Sequence, residues 1–455
     1  MSIQSINPLN GEIIKSYETD SVEQVKHKIE QTHKAWLSWR NTEAQERALY
    51  LNQLANVLQH KKQELAELMA LEMGKPVIQG LSEIEKCASV CTYYAEHAEE
   101  FLSKQYIVTD ATKSYVTFEP IGVVLAVMPW NFPFWQVFRF LAPALAAGNC
   151  GVLKHASNVP GCALAIEEMV LQAGFPDHVF QTLLIGSDMV DAVIENPLIK
   201  AVTLTGSTQA GIKVAQKAGA ELKKTVLELG GSDAYLILED ADLEHAARTC
   251  TDSRLINSGQ SCIAAKRFIV VKQVAEQFTA LMLENMASKH MGDPLSSETE
   301  VGPQARADLR DGLHQQVQRS VELGAKCLLG GNIPAGNNAL YPPTLLTQVT
   351  KGMPAFDEEL FGPVAAIIVA NDEEDAIQLA NDSIFGLGAA VFTANTKRGE
   401  HIAATRLEAG SCFVNSLVKS DPRLPFGGIK QSGYGRELGI FGIHEFVNIK
   451  TVFIK

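Results

Sequence analysis

The stretch GVVLAVMPWNFP, residues 122–133, decides how this chain is read. It lies in an uncharged run between Glu119 and Arg139 that is long enough to span a bilayer. Pro120, Pro129 and Pro133, with Asn131 and Gln136, forbid one continuous lipid-facing helix, because proline removes a backbone donor and the amides would be stranded in hydrocarbon. The run is expected as a buried strand, a turn and a buried helix.

The same unit recurs downstream. CGVLK (150–154), VFQTLL (179–184), AVTLT (201–205), TVLEL (225–229) and AYLIL (234–238) alternate with helical stretches. Apolar strands separated by helices imply a parallel sheet covered on both faces. A second series follows Cys262: RFIVV (267–271), helices near 274–287 and 304–323, VAAIIVA (364–370), a helix from Glu373, and GAAVFTA (388–394). Two α/β domains in sequence are therefore expected. Upstream, Asp20 followed by SVEQVKHKIEQTHKAWLSW reads as a capped amphipathic helix, and a helical tract over about 42–100 breaks at Gly74-Lys75-Pro76. Segments 105–118 and 443–449 favour β structure, belong to neither series, and are expected to form a small sheet that meets another subunit.

Composition narrows the function classes. The 455 residues carry 39 Lys and Arg against 52 Asp and Glu, a formal charge of -13 with no basic block, which argues against nucleic acid or an anionic membrane as partner. Eight cysteines with no repeating spacing (87, 91, 150, 162, 250, 262, 327, 412) fit a reducing compartment. The polar start MSIQSINPLNGEIIKSYETD lacks a secretory apolar run, so a cytoplasmic location is expected. No metal is expected: HExxH is missing, and Cys87 with Cys91 has no further Cys or His nearby.

Three residue types could carry chemistry. NSGQSC ends at Cys262, and its polar, turn-forming flank suits an accessible thiol, whereas most cysteines are inert buried hydrophobes. TVLELGG puts Glu228 at the end of a strand, beside glycines that permit close approach, as either a salt-bridge partner or a general base. PWNFP fixes Asn131 between prolines, as a plain turn or as a preorganised oxyanion donor. AVTLTGSTQAG, residues 201–211, is a weaker signal: it matches neither GxxxxGK[ST] nor GxGxxG, yet a helix opened by Gly206 and Ser207 can receive a pyrophosphate. Lys154 stands at the ligand edge of another strand, or is simply solvated.

PWNFP, TGSTxxG, ELGG, GQSC, EELFGP and PFGGIKQSGYGRE, in this order along the whole chain, resemble the aldehyde dehydrogenase superfamily. Within it the chain is similar to the bacterial succinate-semialdehyde dehydrogenases that carry LKHA and ELGGSD. The resemblance implies two Rossmann-like parallel-sheet domains: a nicotinamide-cofactor-binding domain (1–104 and 121–229) and a catalytic domain (230–428). It adds a β oligomerisation segment (105–120 and 440–455) and a homodimer or homotetramer. It also implies Cys262 as an ionised nucleophile, Glu228 as base and Asn131 as oxyanion donor. Trp130, Lys154, Ser157, Gly206, Ser207, Gly211, Leu229, Glu359 and Phe361 would meet NAD or NADP.

The implied chemistry passes through a thiohemiacetal and a thioester on Cys262 to the carboxylic acid. A substrate with a distal carboxylate needs a facing cation. Arg139 matches an arginine that the resembled enzymes use there, its other reading being an ion pair; the second arginine of their clamp is Ile256 here. Gln136, Arg254, Arg267, Ser420 and Arg423 are the unranked candidates for the missing half. Ser157 replaces an acid that would repel the phosphate of NADP, so both cofactors are expected to serve. Ala264 replaces the second cysteine of a redox pair, which removes a local disulfide switch. The rival readings are a coenzyme A-acylating enzyme, a cofactor-binding protein without turnover, and a dehydrogenase for glutarate semialdehyde or another aliphatic aldehyde.

Overall fold

The computed structural model describes residues 2–336 and 338–455. Strands Val123–Met128 (β1), Cys150–His155 (β2), Phe180–Thr182 (β3), Ile199–Thr205 (β4) and Lys224–Glu228 (β5) form a parallel sheet in the order β3-β2-β1-β4-β5, with Gly433–Tyr434 added antiparallel beside β5. The winding reverses between β1 and β4. The crevice outside the carboxyl ends of such a pair is where doubly wound sheets take ligands. Both PWN, after β1, and GS, after β4, open there.

The uncharged run behaves as its prolines require. β1 is almost wholly buried, PWNFP is a turn, and all twelve residues of helix Trp135–Ala146 are buried. The turn is pinned by His155, whose Nε2 donates to the Pro133 carbonyl at 2.8 Å while its Nδ1 accepts from Ala156 N at 2.9 Å. Glu83, reaching from helix Val77–Phe101, accepts from the backbone N–H groups of Phe134 and Trp135 at 2.9 Å each and satisfies the start of the buried helix. Buried Lys75 pairs with Glu83.

The second sheet consists of Ala234–Ile237 (β6), Arg267–Val271 (β7), Lys326–Leu329 (β8), Thr344–Thr347 (β9), Val364–Ala370 (β10), Gly388–Phe392 (β11) and Ser411–Val414 (β12). Its order is β8-β9-β10-β7-β6-β11-β12, with only the β8–β9 pair antiparallel. Alternate side chains feed two cores: Leu236 joins the cluster on one face, while Tyr235 and Ile237 join that on the other.

Two local expectations are corrected. Helix Val22–Trp39 is capped by Ser21 rather than Asp20: Ser21 and Gln24 exchange bonds in a capping box, while Asp20 holds Lys28 and the Leu184 N–H. The last strand runs Val447–Ile454, later than expected, because Gly439–His444 closes into a short helix. That strand pairs with Lys113–Pro120, which pairs with Gln105–Tyr106, and the small sheet leaves Tyr106, Ile449 and Phe453 exposed. No helix among the described residues is long and apolar enough to cross a membrane.

Candidate active site

Helix Leu243–Leu255 ends in a tight loop in which Asn257, Ser258 and Gly259 all have positive φ (51°, 55° and 77°). Two of these are not glycine, a strained backbone that persists only where its surroundings hold it. Here they do. Ser258 Oγ accepts from Gly302 N at 2.8 Å, and Gln260 Oε1 accepts from Ala305 N at 2.8 Å. Buried Arg254 donates to the carbonyls of Gly259 (2.6 Å) and Leu360 (3.3 Å). The loop delivers Cys262 half-buried, whereas Cys87, Cys91, Cys150, Cys162 and Cys250 are fully buried.

Asn131 meets this loop directly. Its Nδ2 donates to the Gln260 carbonyl at 3.1 Å, and Asn257 Nδ2 donates to the Asn131 carbonyl at 2.7 Å. One amide hydrogen of Asn131 is left over. Lys266 fixes the other side of the loop by donating to the Ser261 and Cys262 carbonyls (2.8 and 2.6 Å).

The charges of the site differ from a simple expectation. Burial pushes the Cys262 thiol up to about 12, although Arg139 and Lys266 pull it back. Burial thus opposes the expected ionised sulfur, and the nearby positive charge offsets only part of its desolvation. Glu228 is buried at the end of β5 with neither oxygen hydrogen-bonded, and it makes no ion pair among the described residues. Burial, then the neighbouring Glu437 charge, raise its carboxyl well above the usual range, against Arg139 and Arg436.

Arg139 is turned inward. It pairs with buried Glu437, stacks 4.7 Å from the Phe426 ring centre and lies 3.3 Å from Thr205 Oγ1. The expectation that it reaches into the substrate funnel is corrected: its charge is taken by Glu437 and acts on Glu228 and Cys262. The other substrate candidates also change. Arg423 is exposed and bonded twice to Asp421 (2.8 and 2.7 Å), Arg254 stitches the nucleophile loop, and Arg267 holds the Ser232, Leu379 and Ala380 carbonyls. Gln136 is buried with its Oε1 unpartnered.

A cavity of about 700 Å³ opens beside the carboxyl ends of β1 and β2, lined by Trp130, Lys154, Ser157, Ser187 and Arg306 among others. Lys154 has no ion-pair partner among the described residues, and burial lowers its pKa. A cleft with a lysine that makes no ion pair among the described residues, at the carboxyl ends of parallel strands, fits an anionic dinucleotide. Gly206 and Ser207 are not in its lining; Ser207 caps helix Thr208–Ala220, accepting from Ala210 N. Gly211 lets that helix approach the sheet, since a Cβ there would meet Leu229 Cδ2 at 2.5 Å. Leu229 is thus a packing partner whose N–H is taken by the Ser432 carbonyl. Glu359 accepts from Gly231 N at 3.0 Å and lies 3.5 Å from Lys266. The rings of Trp130 and Phe361 stand nearly perpendicular, 5.7 Å apart.

A second cavity, of about 440 Å³, is lined by Gln79, Lys86, Phe132, Trp135, Ile256 and Leu417 among others. Sequence reading missed Lys86, which lies in a helix without a motif, and gave no role to Glu437, although it lies inside the quoted GYGRE. Among the described residues no group of three or more His, Cys, Asp or Glu could hold a metal ion.

Comparison with known proteins gives the following. The model of the aldehyde dehydrogenase family matches residues 1–452. A probable succinate-semialdehyde dehydrogenase [NADP(+)] from Synechocystis sp. is 48% identical over 454 residues, covering 100% of both chains. Succinate semialdehyde dehydrogenase [NAD(P)+] from Escherichia coli is 44% identical over 449 residues, covering 99% of this chain and 97% of that one. The crystal structure of succinic semialdehyde dehydrogenase from Streptococcus pyogenes with NADP+ superposes with a TM-score of 0.97 at 38% identity, covering 99% of each chain.

Proposed function

The chain belongs to the aldehyde dehydrogenase family, and from that premise we propose that it oxidises succinate semialdehyde to succinate with NADP+ or NAD+. One observation carries the reading: Trp130 lines one cavity, Phe132 lines the other, and Asn131 between them bonds to the loop that presents Cys262. Support for the aldehyde and the cofactor comes from relatives named for both.

Each residue then has a task. Lys154 and Ser157 would hold the anionic end of the dinucleotide, and Ser157 brings no negative charge to repel the NADP phosphate. When bound, the oxidised nicotinamide supplies a hydride acceptor. The Cys262 thiol gives its proton to solvent water, and the sulfur bonds to the aldehyde carbon as the C=O π bond opens onto oxygen. The free amide hydrogen of Asn131 and the Cys262 N–H hold the oxygen as charge develops on it. After oxidation the acyl group remains as a thioester on Cys262. Glu228, once deprotonated, takes a proton from water that attacks the acyl carbon, and the C–S bond breaks to release succinate. The three-stranded sheet with exposed Tyr106, Ile449 and Phe453 supports a homodimer or homotetramer. Eight thiols without a disulfide support a reducing, cytoplasmic setting.

The test is reduced-nicotinamide absorbance with succinate semialdehyde, glutarate semialdehyde and butanal, each with both cofactors. Highest efficiency with succinate semialdehyde is expected; a preference for either other aldehyde would replace the substrate, and no turnover with any would remove the reading.

A further inference from the structure

We propose that Lys86 receives the distal carboxylate of the aldehyde, in the cavity where Ile256 stands in place of an arginine. This deepens the functional reading above and rests on it. Lys86 is half-buried on helix Val77–Phe101 and lines the 440 Å³ cavity with Phe132, Trp135 and Ile256. Its Nζ donates to Ser420 Oγ at 2.8 Å and sits 4.2 Å from the Trp135 ring centre. Trp135 Nε1 donates to the same hydroxyl at 3.0 Å.

Nothing among the described residues neutralises this cation. The charged groups that face it are all committed elsewhere. Glu83 is held by Lys75 and two backbone N–H groups, Asp421 by Arg423, and Arg139 by Glu437; the neighbouring Cys87 is a buried, neutral thiol. The cavity's other cation, Lys289, lies between Asp252 (3.5 Å) and Glu300 (2.9 Å). Among these lining groups Lys86 is the cation without an ion pair among the described residues, and it stands beside Phe132, Trp135 and Ile256, which suits a ligand whose far end is anionic.

The hydrogen-bond inventory fits the same ligand. Lys86 has two further N–H groups to give, and Ser420, already accepting from two donors, has its own hydrogen free to donate. Two carboxylate oxygens would use them. Gln79, which lines the cavity, touches the nucleophile loop: its Oε1 accepts from Asn257 N at 2.6 Å. Burial and the nearby Arg139 charge lower the Lys86 ammonium to about 8, so its charge is present at neutral pH and lost in mild alkali.

The experiment compares wild type, Lys86→Met and Lys86→Arg on succinate semialdehyde and on butanal, an uncharged aldehyde of equal length. Lys86→Met is expected to raise KM for succinate semialdehyde about 100-fold, the scale for removing one partner of a buried charge pair, with a far smaller change for butanal and partial rescue by arginine. The wild type should show a KM for succinate semialdehyde that climbs above about pH 8, without a matching rise for butanal; this measurement needs no variant to fold. Equal losses on both aldehydes, an unchanged KM for succinate semialdehyde, or a flat wild-type profile would overturn the assignment of Lys86. A wild type that does not prefer succinate semialdehyde over butanal would instead overturn the substrate reading itself.

Discussion

Asn131 Nδ2 donates to the carbonyl of Gln260, two residues before Cys262, at 3.1 Å. The bond leaves one amide hydrogen of Asn131 for a substrate oxygen and fixes its direction through a buried partner. Asn131→Ala should lower kcat by about 100- to 1,000-fold, the scale for removing one oxyanion donor. Steady-state kinetics with unchanged cofactor affinity would check it; a loss below tenfold would return Asn131 to a plain turn residue.

Glu228 is buried without a hydrogen bond, and its carboxyl is held well above the usual range by burial and Glu437. A raised pKa means the group is neutral at low pH and gains basicity only as pH rises, so thioester hydrolysis should accelerate toward alkali. Glu228→Gln should keep a rapid burst of reduced nicotinamide of about one per active site and lose steady turnover. Rapid-mixing absorbance separates the two phases, and steady turnover at the wild-type rate would exclude Glu228 as the base.

The Cys262 thiol, pushed up to about 12 by burial, should alkylate slowly at pH 7 in the free enzyme. Its rate with iodoacetamide should keep rising through pH 10 rather than level near the usual thiol range. Mass spectrometry at the Cys262 peptide reads this directly, and a plateau near pH 8 would mean that the thiolate is already stabilised.

Arg139 and Glu437 form a buried ion pair. Arg139→Met leaves the Glu437 carboxyl buried without its partner, which costs about 3–5 kcal/mol when such a pair is broken. Denaturant unfolding should show that loss, and turnover should fall alike for succinate semialdehyde and butanal. A selective rise in KM for succinate semialdehyde would restore Arg139 as a carboxylate anchor.

Gly259 has φ 77°, and a Cβ there would lie 2.2 Å from the carbonyl carbon of Gly362. Backbone cannot give way as a flexible side chain can, so Gly259→Ala should displace the nucleophile loop and abolish turnover while the chain still binds cofactor in the separate 700 Å³ cavity. Cofactor titration beside the activity assay distinguishes this from global unfolding.

Much of this molecule was legible in its residues. The prolines of PWNFP end β1 and turn the chain into a buried helix, and the short apolar runs between helical stretches are buried strands. NSGQSC likewise announced a turn around Cys262, because polar turn residues around a cysteine are a local property. Partnership is not local. Arg139, predicted to face the substrate, faces Glu437, which lies nearly three hundred residues away in the chain and close to it only after folding. Lys86 gave no sign in a helix without a motif; its importance arises because every neighbouring carboxylate is claimed by another cation. Which strands form and where the chain turns follow from short-range sterics and hydropathy. Which charges remain uncompensated depends on the whole set of long-range pairings, and only the tertiary structure fixes that set.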